Sequence, residues 1–98
     1  MSDPAQRLTE FISGLQNIER KIIAELHAAG ITVSSSNFSW NHGKELAPIP
    51  QAISLEIKAL PKTANAVLSY EQVKDSTQEI VRTDVIALIK ALVVDFSR

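Results

Sequence analysis

Thr77-Gln78-Glu79-Ile80-Val81-Arg82-Thr83-Asp84-Val85-Ile86-Ala87-Leu88-Ile89-Lys90-Ala91-Leu92-Val93-Val94-Asp95-Phe96-Ser97 is the stretch on which the fold depends. Val81, Val85, Leu88, Leu92 and Phe96 recur at spacings of three and four, which places them on one face of a helix. Ser76-Thr77-Gln78-Glu79 just before them has the form of a capping box, so the pattern predicts a helix over residues 77–97. The β-branched residues Ile80, Val81, Val85, Ile86, Ile89, Val93 and Val94 lower helix propensity. They leave an alternative, a strand as far as Arg82 with the helix beginning at Thr83-Asp84. The alignment of apolar residues on one face favours the longer helix.

On a helical wheel the main apolar arc runs from Leu88 through Val81, Leu92, Val85, Phe96 and Ile89 to Val93 and Ile86, interrupted only by Arg82. Ile80, Ala87, Ala91 and Val94 form a second patch on the other side. A helix with one contact needs less apolar surface than this. The surplus predicts contacts with the sheet, the first helix and a second subunit.

At the other end of the chain, Asp3-Pro4 is a strong helix start, with Gln6 placed to complete a capping-box-like pair. Leu8, Phe11, Leu15, Ile18, Ile22, Leu26 and Ala29 follow at helical spacing, and Gly30 is placed to end the helix. With Ile12 and Ile23 they make a single stripe. Gly14 at its margin costs about 1 kcal/mol relative to Ala, which either reflects a close helix crossing or is simply tolerated. Glu19 falls inside the stripe and must reach water or a partner. Arg82 interrupts the other helix in the same way. The two either pair or extend to solvent separately, and separate extension is the ordinary expectation for long side chains.

Between the helices the period changes to two. A β-prone run begins at Ile31-Thr32-Val33 and continues through Ser34, Ser35, Ser36 and Asn37 to Phe38 and Trp40. Residues 41–51, with Gly43, Pro48 and Pro50, read as a loop. Ile53, Leu55, Ile57 and Ala59 alternate with Ser54, Glu56 and Lys58, as in a half-buried strand. Pro61-Lys62-Thr63 marks a turn, and residues 66–73 read as the returning strand, with either Leu68 and Tyr70 or Val67 and Val73 facing inward. The order is α-β-β-β-α. It predicts an α+β fold in which a three-stranded antiparallel sheet carries both long helices on one face.

Ninety-eight residues suit a single domain spanning 1–98. With 45% hydrophobic and 21% charged residues the chain is an ordinary globular one. It has no cysteine, which excludes disulfides and thiolate chemistry. The N-terminal residues lack the pattern of a secretory signal, and the most apolar run, residues 85–94, is interrupted by Lys90 and is too short to span a bilayer. A cytoplasmic location without membrane association is therefore expected.

No catalytic motif is readable. His27 near a helix end suits the helix dipole, and His42 lies in the loop Asn41-His42-Gly43-Lys44. Two histidines without a third ligand make no metal signal, and three glycines make no phosphate loop, so neither metal nor cofactor is expected. Phe38 and Trp40 are the unusual residues. Regular alternation from Ile31 and Val33 would put both rings on the open sheet face beside Glu56 and Lys58, with His42 and Lys44 close by, as a partner-binding surface. A break around residues 35–37 would return them to the core.

These features favour a non-enzymatic protein-interaction module: an adaptor, a small inhibitor or a self-associating domain. Leu8, Phe11 and Leu15 on the first helix, and Ile80, Ala87, Ala91 and Val94 on the second, are the candidate oligomer or helix–helix contacts. A second class is suggested by element order alone, which resembles that of double-stranded RNA-binding domains. The resemblance implies a phosphate-binding lysine cluster at the start of the second helix. That position here reads Asp75-Ser76-Thr77-Gln78-Glu79, and the net charge is −1. Nucleic acid is thus the weaker expectation. A small-molecule pocket between sheet and helices is a third, and no particular residue speaks for it.

Overall fold

The computed structural model describes residues 3–97; Met1, Ser2 and Arg98 lie outside the described residues. The first helix, α1 (Pro4–Ala28), starts where the sequence places it: the Asp3 carboxylate accepts the Ala5 N–H at 3.1 Å. Gln6 does not complete the cap and donates to Glu10 instead. At the far end Ile31 N–H reaches the Leu26 carbonyl at 2.8 Å and Gly30 N–H the His27 carbonyl at 2.9 Å. This is the Schellman pattern, and it requires the positive φ of 85° that Gly30 supplies. Phe11, Leu15, Ile18, Ile22 and Leu26 form the buried stripe.

The long first strand is replaced by something shorter. A 3₁₀ turn at Ser35–Asn37 breaks the alternation that begins at Ile31. Asn37 fixes the break: its side-chain oxygen accepts the Ser34 N–H at 2.9 Å, and its Nδ2 donates to the Lys58 carbonyl at 2.7 Å. Of the expected run only β1 (Phe38–Trp40) pairs as a strand. It pairs antiparallel with β2 (Ala52–Ala59), placing Phe38 opposite Ile57 and Trp40 opposite Leu55.

β2 turns through Leu60-Pro61 into β3 (Lys62–Ser69), with Ala59 opposite Lys62 and Ala52 opposite Ser69. The sheet order is β1-β2-β3, all antiparallel. Ile53, Leu55, Ile57, Ala64 and Leu68 are buried on one face. Ser39, Glu56, Lys58, Thr63, Asn65 and Val67 alternate with them onto the other.

The strand expected over residues 66–73 ends early, because Ser69 caps a short helix, α2 (Tyr70–Lys74). Ser69 Oγ accepts the Gln72 N–H and Gln72 Oε1 accepts the Ser69 N–H, at 3.2 and 2.8 Å. The change of period lets both Leu68 and Val73 face inward while Val67 stays 65% exposed. It also explains Gly14. A Cβ built there would overlap the Val73 carbonyl oxygen and come within 2.9 Å of Val73 Cγ1, so α1 crosses α2 with backbone against backbone.

The final helix, α3 (Thr83–Ser97), begins six residues later than the capping-box pattern predicts. Ser76 cannot cap it. That residue is fully buried, and its hydroxyl donates to the Gln72 carbonyl at 2.8 Å, at the end of α2. Residues 77–82 form neither helix nor strand, so of the alternative reading the strand fails while its helix start at Thr83 is the one observed. Asn17 holds this connection against α1, its Nδ2 donating to the carbonyls of Ser76 and Gln78 at 3.1 and 2.9 Å.

The fold is thus α+β in the order α-β-β-β-α, with α2 as an added turn before α3 and both long helices on one sheet face. Val85, Ile89, Leu92 and Phe96 of α3 join the α1 stripe and the sheet in one core cluster. Lys62 Nζ donates to the Phe96 carbonyl at 2.7 Å, so β3 satisfies a terminal acceptor of α3. No described helix is long and apolar enough to cross a membrane.

Candidate functional site

The break at residues 35–37 decides where the two aromatics go. Residues opposite one another in an antiparallel ladder share a face, so Phe38 and Trp40 lie on the core side with Ile57 and Leu55. Both are half-buried and pack against the core cluster. Trp40 also supplies a neighbour for Glu19. The Glu19 carboxylate accepts the Ser35 hydroxyl at 2.9 Å, and its other oxygen lies 3.4 Å from Trp40 Nε1, long for a hydrogen bond. The acid inside the α1 stripe is accommodated at the α1–β1 contact, and no pair with Arg82 forms.

The six partner-binding candidates therefore do not make one surface. Phe38 and Trp40 face the helices, while Glu56 and Lys58 face away and pair with each other at 3.3 Å. His42 and Lys44 are exposed in and just after a 3₁₀ turn, Asn41–Gly43, that follows β1. The open sheet face is polar apart from Val67 and the small Ala52. It offers little apolar area for a protein partner.

Arg82 stands just before α3, where its guanidinium bridges Asp75 at 2.9 Å and grips Asp84 through two nitrogens at 2.9 and 2.8 Å. The hydrogen bond from Arg82, with a second from Gln72, lowers the Asp84 pKa to about 2, and the same two carboxylates raise that of Arg82. All three groups are solvent-accessible, so the cluster sets where α3 begins more than it stabilises the fold.

The helix-contact candidates divide sharply. Phe11 and Leu15 are buried in the chain's own core, and Leu8 is half-buried. Ile80 is not on a helix; it packs half-buried against the core from the connection, and its neighbour Val81 is 66% exposed. Ala87, Ala91 and Val94 remain, all exposed, on one line along the outer side of α3. Lys90 flanks this line on one side and Asp95 on the other, as their 100° steps require. Neither makes an ion pair among the described residues.

Among the described residues no group of three or more His, Cys, Asp or Glu side chains comes together as a metal site would. A groove that sequence reasoning gave no residues for opens between the start of α1, residues 47–51 and Tyr70. Its walls come from segments far apart in sequence, so no local motif marks it. No family matches the chain, and neither a curated protein nor a solved structure matches it.

Proposed function

We propose that the chain is a non-enzymatic protein-interaction module that binds through the outer face of α3, and that its partner is a second copy of itself. The observation that supports this is the exposed line Ala87, Ala91 and Val94, with Val94 half exposed, on a helix whose inner face already fills the core. Such a line has the spacing of a coiled-coil seam, with Ala87 at d, Ala91 at a and Val94 at d. In that register Lys90 occupies g and Asp95 the following e position. These are the two positions that meet across a parallel pair of helices.

A parallel α3–α3 contact thus sets Lys90 of one copy against Asp95 of the other, on both sides of the seam. The small alanines permit close approach, and the shortness of the seam makes the contact weak and transient. Sedimentation velocity from low to high concentration tests the reading. The expected result is a reversible rise in mass that Ala91→Glu abolishes and Lys90→Asp weakens, with the Lys90→Asp/Asp95→Lys double variant recovering association. A strict monomer at every concentration, or an Ala91→Glu variant that associates as the parent does, rules it out.

A further inference from the structure

The groove beside the start of α1 has a chemistry of its own. Its volume is about 460 Å³, within the range of roughly 300–1,000 Å³ typical of small-molecule sites. Leu8 of α1 and Pro48 and Ile49 of the loop before β2 give it apolar walls, and Tyr70 lines it with them. That ring is held in place by stacking on Phe11, with centroids 5.8 Å apart and planes 9° from parallel. The loop wall is tied to the same residue, because Tyr70 N–H donates to the Gln51 carbonyl at 2.8 Å. The walls are therefore fixed to one another before anything binds, which lowers the entropic cost of filling the groove.

The polar lining is one-sided. Arg7, Gln51 and Tyr70 are its polar lining residues, and among the described residues none that is acidic lines the groove. Among the described residues Arg7 makes no side-chain hydrogen bond and no ion pair, in contrast to Arg82, which is held by two carboxylates. An unpaired guanidinium beside an apolar trough suits a planar anion, which it can bind through two parallel N–H bonds.

We propose that this groove binds a small organic monocarboxylate, its apolar body lying on Leu8, Ile49 and Tyr70 and its carboxylate on Arg7. Among the described lining residues Arg7 is the single cation, which matches an occupant of a single charge. A dicarboxylate would leave its second group uncompensated against apolar walls. The site is separate from the outer face of α3, and neither proposal depends on the other.

Amide and methyl NMR of the intact chain, titrated with decanoate, with 4-phenylbutyrate and with the neutral decanamide, provides the test. Decanoate or 4-phenylbutyrate is expected to shift the signals of Leu8, Ile49 and Tyr70. Arg7→Gln, at an exposed position, is expected to weaken that binding about tenfold or more, the magnitude of a lost charge-assisted hydrogen bond. Decanamide is expected to bind the parent weakly and to lose nothing further in Arg7→Gln. No shift at those residues with either acid at millimolar concentration would overturn the proposal. So would equal binding of the acids by parent and variant, which would make the groove a general apolar surface.

Discussion

The two long helices use the same raw material differently. α1 carries one apolar stripe and buries its centre: Phe11, Leu15, Ile18, Ile22 and Leu26 all lie inside, and Ile12 at the margin is exposed. α3 buries Val85, Ile89, Leu92 and Phe96 and still leaves Ala87, Ala91 and Val94 in water. The first helix has a stripe matched to one contact; the second has more apolar surface than one contact uses. The buried stripe of the first kind serves the fold. The excess on the second is where an interaction can be added without disturbing the core.

Substitutions can break that contrast. Ile22→Ala on α1 removes a fully buried side chain and is expected to cost about 2–5 kcal/mol in denaturant unfolding. Gly14→Ala is expected to destabilise by about 1–3 kcal/mol, although alanine is the better helix former, because the added methyl meets the Val73 carbonyl. A gain in stability there would mean that α1 and α2 do not cross closely. On α3, Ala91→Glu is expected to change stability by no more than about 0.5 kcal/mol while removing self-association. A large loss of stability would show that Ala91 belongs to the core after all.

The smallest effect concerns the start of α3. The Asp84 pKa lies below its ordinary value of 3.8, at about 2, so its pairing with Arg82 favours the folded state above about pH 4. That contribution disappears as pH falls through about 2. The difference in thermal midpoint between the parent and Asp84→Asn is therefore expected to shrink steadily from pH 4 to pH 2. A difference that stays constant over that interval would place the role of Asp84 elsewhere.

Those outcomes bear on how much of the molecule its sequence discloses. α1 is legible throughout, because the Asp3 cap, the stripe and Gly30 all agree on one helix. The alternation of β2 is equally plain. The start of α3 is not, for a definite reason. Ser69-Tyr70-Glu71-Gln72 and Ser76-Thr77-Gln78-Glu79 both have the form of a capping box, seven residues apart. The chain uses the first, which buries Val73 against Gly14 and turns Ser76 into a tie at the end of α2. That choice is made by packing between distant residues, which no local pattern contains.

The aromatics follow the same rule. Regular alternation would expose Phe38 and Trp40, whereas Asn37 bonds to the Lys58 carbonyl across the sheet and resets the register. The Ser-Ser-Ser-Asn run was the visible sign of a break, since its side chains compete with strand hydrogen bonds. The candidate surface on α3 was legible only in part. Ala87, Ala91 and Val94 could be read from the wheel, whereas Ile80 left the set once the helix began at Thr83.

A dilution series followed by alanine and valine methyl NMR tests the outer face of α3 most directly. The account predicts that the Ala87, Ala91 and Val94 methyls shift together with concentration while buried Val33 and Val73 and the open-face Val67 stay fixed. Concentration-independent spectra, or movement centred on Val67 instead, would contradict it.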